Sequence, residues 1–333
     1  MDIVHQKWEF LNSLLPEVPL QRRTLFQFGV TVLALREIIS LRANARIPSL
    51  KWNTAKSKIY RLTANTRMPQ VFLRLLLHLG IVGARDILAV DFSDFGNDFQ
   101  VLMFAKQTKK GRAVPVYFEI LRYPIDTGSQ TRFTIDAIKH LTQLIGFKPT
   151  LVFDRGFMSP WIVRFLAKNQ HPFVLRIKAG KKVRFEKTLI AACAVPDADA
   201  RITAYTRRLR LVRSDAAAHA EPWYLLTNIT TKTRNRIIDI YFHRFEIEEF
   251  FRDAKHILGL EYMHINTHLT LSILLWFALL SMWFLWSLEK HSTRLQKKVR
   301  KQMRLSIIRF WFEQLTYAQI RAAEKNFLPL NSS

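Results

Sequence analysis

With 333 residues, 49% of them hydrophobic and 23% charged, the chain can bury one large core or two ordinary ones, which excludes a disordered or low-complexity protein. Fifty-one Lys and Arg against 26 Asp and Glu leave a formal charge of +25, so the natural partner is a polyanion. A single cysteine, Cys193, excludes an internal disulfide and a cysteine-rich zinc site, and a reducing, intracellular setting fits. The opening MDIVHQKWEF carries Asp2 and Glu9 where a secretory signal needs an apolar run, so none is expected.

Residues 38–85 hold nine bases and no acid. Short capped helices are predicted over 49–62, followed by an apolar-periodic helix from Met68 to Leu79. Residues 1–84 therefore read as a helical DNA-binding region, the alternative being a solvated basic face.

The texture changes at Arg85. Ile87 to Phe92, Phe99 to Lys106 and Val114 to Leu121 are β-branched and aromatic runs separated by Gly-containing turns, which predicts a three-strand antiparallel meander. A helix over Ser129 to Gly146, a strand over Thr150 to Phe153, a helix over Ser159 to Lys168 and a strand over Pro172 to Lys178 complete a βββαβαβ order. From Ala179 to about Arg234 the segments turn short, basic and alternating, an inserted β region in which Ile202 to Val212 is the clearest strand. Its Arg201, Arg207, Arg208, Arg210 and Arg213 exceed what a solvated strand needs. One long helix is predicted from about Arg236 to Leu258.

Leu269 to Leu288 is twenty residues without a charge, the length of a membrane span. Three serines, and tryptophans spread along its middle and end instead of at two interfaces, favour a helix buried in the protein, with no membrane partner. The tail from Lys290 to Phe312 holds eight bases and no acid, so residues 263–333 read as a C-terminal helical basic region.

The candidate chemistry lies in acids. Asp91 closes the first predicted strand and Asp154 the fourth; an Asp after an apolar β run is either a turn cap or a ligand at a sheet edge. In the predicted topology the two strands are adjacent, so the two carboxylates could share a metal. Asp94 falls beyond the predicted strand and is set aside. On the later helix Tyr241, Arg244, Glu248 and Lys255 fall within roughly 60° of one another, at about 100° per residue, while Glu246 and Glu249 point away. The plain alternative is a surface Arg244 to Glu248 ion pair. Arg155, after the second acid, and Arg176 and Lys178, ending the next strand, are DNA-backbone candidates.

The spacing YxxRxxxExxxxxxK at Tyr241, Arg244, Glu248 and Lys255, with Val-Asp at Asp91 and Asp-Arg-Gly at Asp154, resembles bacterial DDE transposases of the insertion-sequence IS-four family over roughly residues 86–260. The resemblance implies an α/β, ribonuclease-H-like catalytic core (βββαβαβ-α) over residues 85–262. A β insertion of about 179–234 would precede the last acidic helix, with helical regions on either side. Asp91, Asp154 and Glu248 would be the catalytic triad, binding two Mg²⁺ ions with Mn²⁺ as a substitute. Arg244 and Lys255 would hold phosphates, Tyr241 would orient the backbone, and Trp223 would stack on a flipped base. The implied function is binding the terminal inverted repeats of a mobile element, cutting its ends and joining the 3′-hydroxyls to target DNA. The implied partner is double-stranded DNA, the implied assembly a homodimer in a synaptic complex, and the implied location the bacterial cytoplasm at the nucleoid. The alternative is a catalytically decayed DNA-binding protein that represses transposition.

Overall fold

The computed structural model describes residues 12–29, 57, 60–62, 64–109, 111–126, 128–214, 221–256 and 267–291. Residues 38–56 of the basic segment, with most of the short capped helices expected over 49–62, and the basic tail beyond His291 lie outside the described residues. In chain order the elements are α1 (Leu20–Gly29), α2 (Met68–His78), β1 (Ile87–Phe95), β2 (Phe99–Lys106), β3 (Val114–Arg122), α3 (Ser129–Ile145), β4 (Thr150–Phe153), α4 (Pro160–Lys168) and β5 (Phe173–Ile177). There follow β6 (Lys182–Phe185), β7 (Thr188–Ala191), β8 (Asp199–Ala204), β9 (Arg207–Arg213), β10 (Tyr224–Thr227), α5 (Arg234–Phe242), α6 (Glu246–His256) and α7 (His268–His291).

The chain forms two compact units, one of residues 1–81, 95–99 and 250–333, the other of residues 82–94 and 100–249. In the first, the uncharged stretch at 269–288 lies within α7, and every side chain from Leu271 to Leu280 is buried. Phe72 of α2 stacks on Trp276 at 5.7 Å and meets Phe277 edge-on at 4.9 Å, and Phe26 of α1 closes the cluster at 5.9 Å from Phe72. An all-round apolar helix is what such a core requires. Among the described residues no helix is long and apolar enough to cross a membrane.

The second unit is built on a sheet of ten strands in the order β3-β2-β1-β4-β5-β10-β9-β8-β6-β7. β1, β4 and β5 are parallel, with Val90 opposite Phe153 and Phe153 opposite Leu175. α3 and α4 make the crossovers, and Gly146 ends α3 in the left-handed region (φ 76°), its N–H donating to the Thr142 carbonyl at 2.9 Å. β10 then pairs antiparallel with β5, so β6 to β10 extend the one sheet and form no separate layer.

Two predicted elements are redrawn. The strand expected over Ile202 to Val212 is a hairpin, because Tyr205 (φ 50°) and Thr206 (φ 65°) both take the left-handed conformation of a two-residue turn without any Gly to announce it. The helix expected from Arg236 to Leu258 is α5, a 3-10 turn at His243–Phe245, and α6. At that break the Ala113 N–H donates to the Glu246 carbonyl at 3.1 Å and the Thr108 N–H to the Glu246 carboxylate at 2.8 Å. These bonds fix the helix to the β2–β3 connection, and no local periodicity reports them.

Candidate active site

The parallel register builds the site. Continued by one residue, it sets Asp91 beside Asp154 and Asp154 beside Arg176, on β1, at the end of β4 and on β5. Adjacent strands are about 5 Å apart and in-register side chains share a face, so the three form one row. Arg176 itself lies opposite Leu225 of β10. Two residues back along each strand, Val152 and Val174 belong to the apolar cluster that receives Ile237, Ile240 and Tyr241 of α5. The face that bears the row is therefore the face on which α5 packs.

α5, the 3-10 turn and α6 bring the remaining groups. Arg244, only 4% exposed, donates to the Asp91 carboxylate at 3.1 Å and to the Glu248 carboxylate at 2.6 Å. One guanidinium thus bridges an acid of the sheet and an acid of the helix, a fork a lysine could not reproduce. Its plane lies 4.6 Å over the Phe245 ring, and its Nε has no hydrogen-bond partner. The Tyr241 hydroxyl donates to Asp154 at 3.4 Å, and Asp154 also caps the 3-10 turn that follows it by accepting from the Arg155 N–H. Burial pushes the Tyr241 phenol up, while Arg244 and Arg176 beside it act in the opposite direction.

Burial raises the Asp91 carboxyl from 3.8 to about 6, against the opposing pull of Arg244 and the Phe92 N–H, with Asp154 and Glu248 adding to the rise. The rise is mainly an effect of burial, since the pull of Arg244 outranks the push of Asp154 and Glu248, and Arg176 adds a second cation to the row. The site's oxygen-only donor set suits a hard dication. Among the described residues, however, no three acidic, His or Cys side chains are grouped closely enough to hold one ion together.

Of the residues singled out in the sequence, Asp91, Asp154, Tyr241, Arg244, Glu248 and Arg176 come together. Arg155 is exposed beside Asp154, and Lys178 is exposed just past the end of β5. Lys255 lies in the last turn of α6, its side chain outside the described residues. Trp223 is only 5% exposed, its ring edge-on to Tyr241 at 4.9 Å and its backbone N–H held by the Ser214 hydroxyl at 2.7 Å. That is the setting of a core aromatic supporting Tyr241, and the ring is not presented for base stacking. Asp94, expected beyond the first strand, lies within β1, which runs to Phe95, and its carboxylate is held by Gln100 at 3.0 Å and Tyr123 at 2.8 Å, which both donate to it.

Sequence reasoning missed Glu246. Only 5% exposed, it accepts from the Thr108 N–H, from the Gly111 N–H at 3.4 Å, and shares a 3.0 Å hydrogen bond with His243. A buried carboxylate with three partners holds the turn that carries Arg244. No local pattern marked it, because Asp239, His243, Glu249 and Asp253 at helical spacing make its face look polar and solvated.

Fold and site together define an α/β protein with acids and arginines at the carboxyl end of parallel strands. Residues 120–284, just under half of the chain, match the family model described as "Transposase DDE domain", a range that takes in Asp154, Arg244 and Glu248 and begins after Asp91. That match supports a DDE transposase. A solved structure described as a piggyBac transposase synaptic complex with hairpin DNA is similar at 10% identity, covering 92% of this chain and 76% of that chain, with a TM-score of 0.46. A likeness that distant carries neither fold nor function. No curated protein matches the chain.

Proposed function

We propose that the protein is a transposase that binds the terminal inverted repeats of an insertion sequence, cleaves the DNA at those ends and transfers the 3′-hydroxyl strands to target DNA. The observation that carries the reading is the row of Asp91, Asp154 and Arg176 closed by Arg244, which joins Asp91 to Glu248. The domain match and the charge of +25 support it. The core is read as ribonuclease-H-like over residues 85–262, of the IS-four type, with residues 1–84 binding DNA and 263–333 a helical basic region. Two element ends call for two such sites, hence a homodimer on DNA in the bacterial nucleoid.

Asp91, Asp154 and Glu248 are the residues that would hold Mg²⁺, or Mn²⁺ in its place, which supplies Lewis-acid chemistry to phosphodiester cleavage when bound. The chain's own groups prepare the substrate. Arg244 is poised to release a carboxylate and grip a phosphate with the same fork, and its rigid plane fixes the phosphate's orientation. Arg176, in the same row, adds a second cation, and the Tyr241 hydroxyl orients Asp154 or a backbone oxygen. Lys255, Arg155 and Lys178 provide further phosphate contacts. Trp223 enters as the packing partner that fixes Tyr241.

The test is cleavage of a plasmid carrying candidate terminal repeats, in Mg²⁺ and in EDTA, by wild type and Glu248→Ala. Cutting at the ends by wild type in Mg²⁺ alone is the expected result. Binding by both proteins with cutting by neither would replace the transposase reading with a decayed, repressing DNA-binding protein.

A further inference from the structure

Away from the acids, the second unit carries a cavity of about 740 Å³ lined by residues of β6, β8, β9 and β10, among them Arg184, Arg201, Arg208 and Arg210. The strand register explains how the arginines meet. Arg184 lies opposite Thr203, and Thr203 opposite Arg208, which makes one row; Arg201 lies opposite Arg210, and Arg210 opposite Thr227, which makes the next. The rows are two residues apart along each strand, so their side chains share one face.

Only one of the four arginines has its charge matched. Arg210 forks onto Asp199 and also donates to the Ile229 and Lys232 carbonyls, so it is part of the framework. Arg184, Arg201 and Arg208 are exposed, and among the described residues no hydrogen bond or ion pair holds any of their guanidinium groups. The second acid of the lining, Glu186, leaves three guanidinium groups against one carboxylate. Like charges on neighbouring strands cost stability, and a sheet face that keeps them is built for an anion. Two rows of cations in an open groove suit a chain of phosphates better than a single one.

The groove shares its face with the active site. The row Val152, Val174, Thr227, Arg210, Arg201 runs continuously through β4, β5, β10, β9 and β8, and Asp154 lies two residues beyond Val152 on the same face. Four strand spacings place Arg201 about 19 Å from β4, the rise of five or six base pairs of B-DNA.

We propose that this groove is a second DNA-backbone site, in which Arg208, Arg201 and Arg184, on strands three, four and five spacings from β4, hold phosphates about four to seven base pairs from the position of cutting. The proposal rests on the nuclease reading for where the cut lies, and on the register and the unmatched charges for the site itself. It assigns the β insertion a role in grip on DNA, separate from the chemistry at Asp91, Asp154 and Glu248.

The test compares the full-length protein with its Arg184→Gln, Arg201→Gln, Arg208→Gln triple variant, matched by thermal melting, on two terminal-repeat duplexes. One extends about 20 base pairs from the cut and the other ends about three base pairs from it, short of the groove. On the long duplex the variant is expected to bind at least tenfold more weakly, with a plot of log K against log salt shallower by about 2 to 3, near 0.9 for each phosphate that the variant no longer neutralises. On the short duplex the two proteins are expected to bind alike. Equal slopes on the long duplex, or an equal weakening on both duplexes, would overturn the site. A nucleoside triphosphate that binds wild type and not the variant, with DNA binding unchanged, would also overturn it and make the groove a small-anion pocket. Cleavage in Mg²⁺ is scored in parallel. A wild type that shows the slope difference yet never cuts defeats the nuclease reading and leaves the groove; one that cuts while the variant binds normally does the reverse.

Discussion

Replacing Asp91 by Asn tests the electrostatics of the site through stability, independently of any DNA assay. In the folded protein burial raises this carboxyl from 3.8 to about 6, so between those values the native state keeps a proton that the unfolded chain has released. Stability contributed by that proton is fully present below pH 4 and is lost as pH rises to 6 and beyond. At 1.36 kcal/mol per unit the loss is at most about 3 kcal/mol by pH 7. The amide of the variant cannot titrate. Against protonated Asp91 the amide differs by a roughly constant amount at every pH, and the pull of Arg244 on the ionised carboxylate is already part of the titration, so the diagnostic quantity is the change in the stability difference with pH. Urea denaturation of both proteins in EDTA at steps from pH 4 to 7 should show the variant gaining up to about 3 kcal/mol on wild type, most of it between pH 4 and 6. A flat difference would refute the reasoning, because it would mean that Arg244 and the Phe92 N–H fully compensate the burial. A difference running the other way would mean that they exceed it.

Trp223→Ala is expected to cost about 3–5 kcal/mol in urea denaturation, as a buried aromatic does, while Trp223→Phe retains most stability and end cleavage. A cost under about 1 kcal/mol for the Ala variant would return Trp223 to the role of an exposed platform. Glu246→Gln places an amide against the Thr108 and Gly111 N–H donors and should destabilise by about 1–3 kcal/mol, with weakened cleavage because the turn carrying Arg244 loses its anchor. Unchanged denaturation and full cleavage would show that the anchor is dispensable.

Much of the architecture was legible locally. Phe99–Lys106 and Thr150–Phe153 form where β-branched and aromatic runs end in turn residues, and α3 stops at Gly146 because the left-handed cap excludes most other side chains. The acids of the site were legible too, since an Asp straight after an apolar strand and an Arg–Glu pair at i, i+4 are local patterns. What the sequence by itself determined is therefore the identity of β1 to β5 and of the helices between them, and the helix stripe of Tyr241, Arg244 and Glu248, whereas β6, β7 and β10 read only as a basic β region. The partners came from elsewhere in the chain. Tyr205 and Thr206 turn the chain with no Gly to mark it, because the pairing of β8 with β9 outweighs the backbone strain. Trp223, which the family resemblance implied for a DNA contact, is buried with Tyr241 edge-on against it. Glu246 breaks a helix that periodicity draws as continuous, since its partners, Thr108 and Gly111, are more than a hundred residues away. Arg176 joins Asp91 and Asp154 only through the register of three parallel strands, and the arginines of β6, β8 and β9 become a groove only through antiparallel pairing. Register is a long-range property, fixed by which faces can be buried together, and no window of sequence contains it.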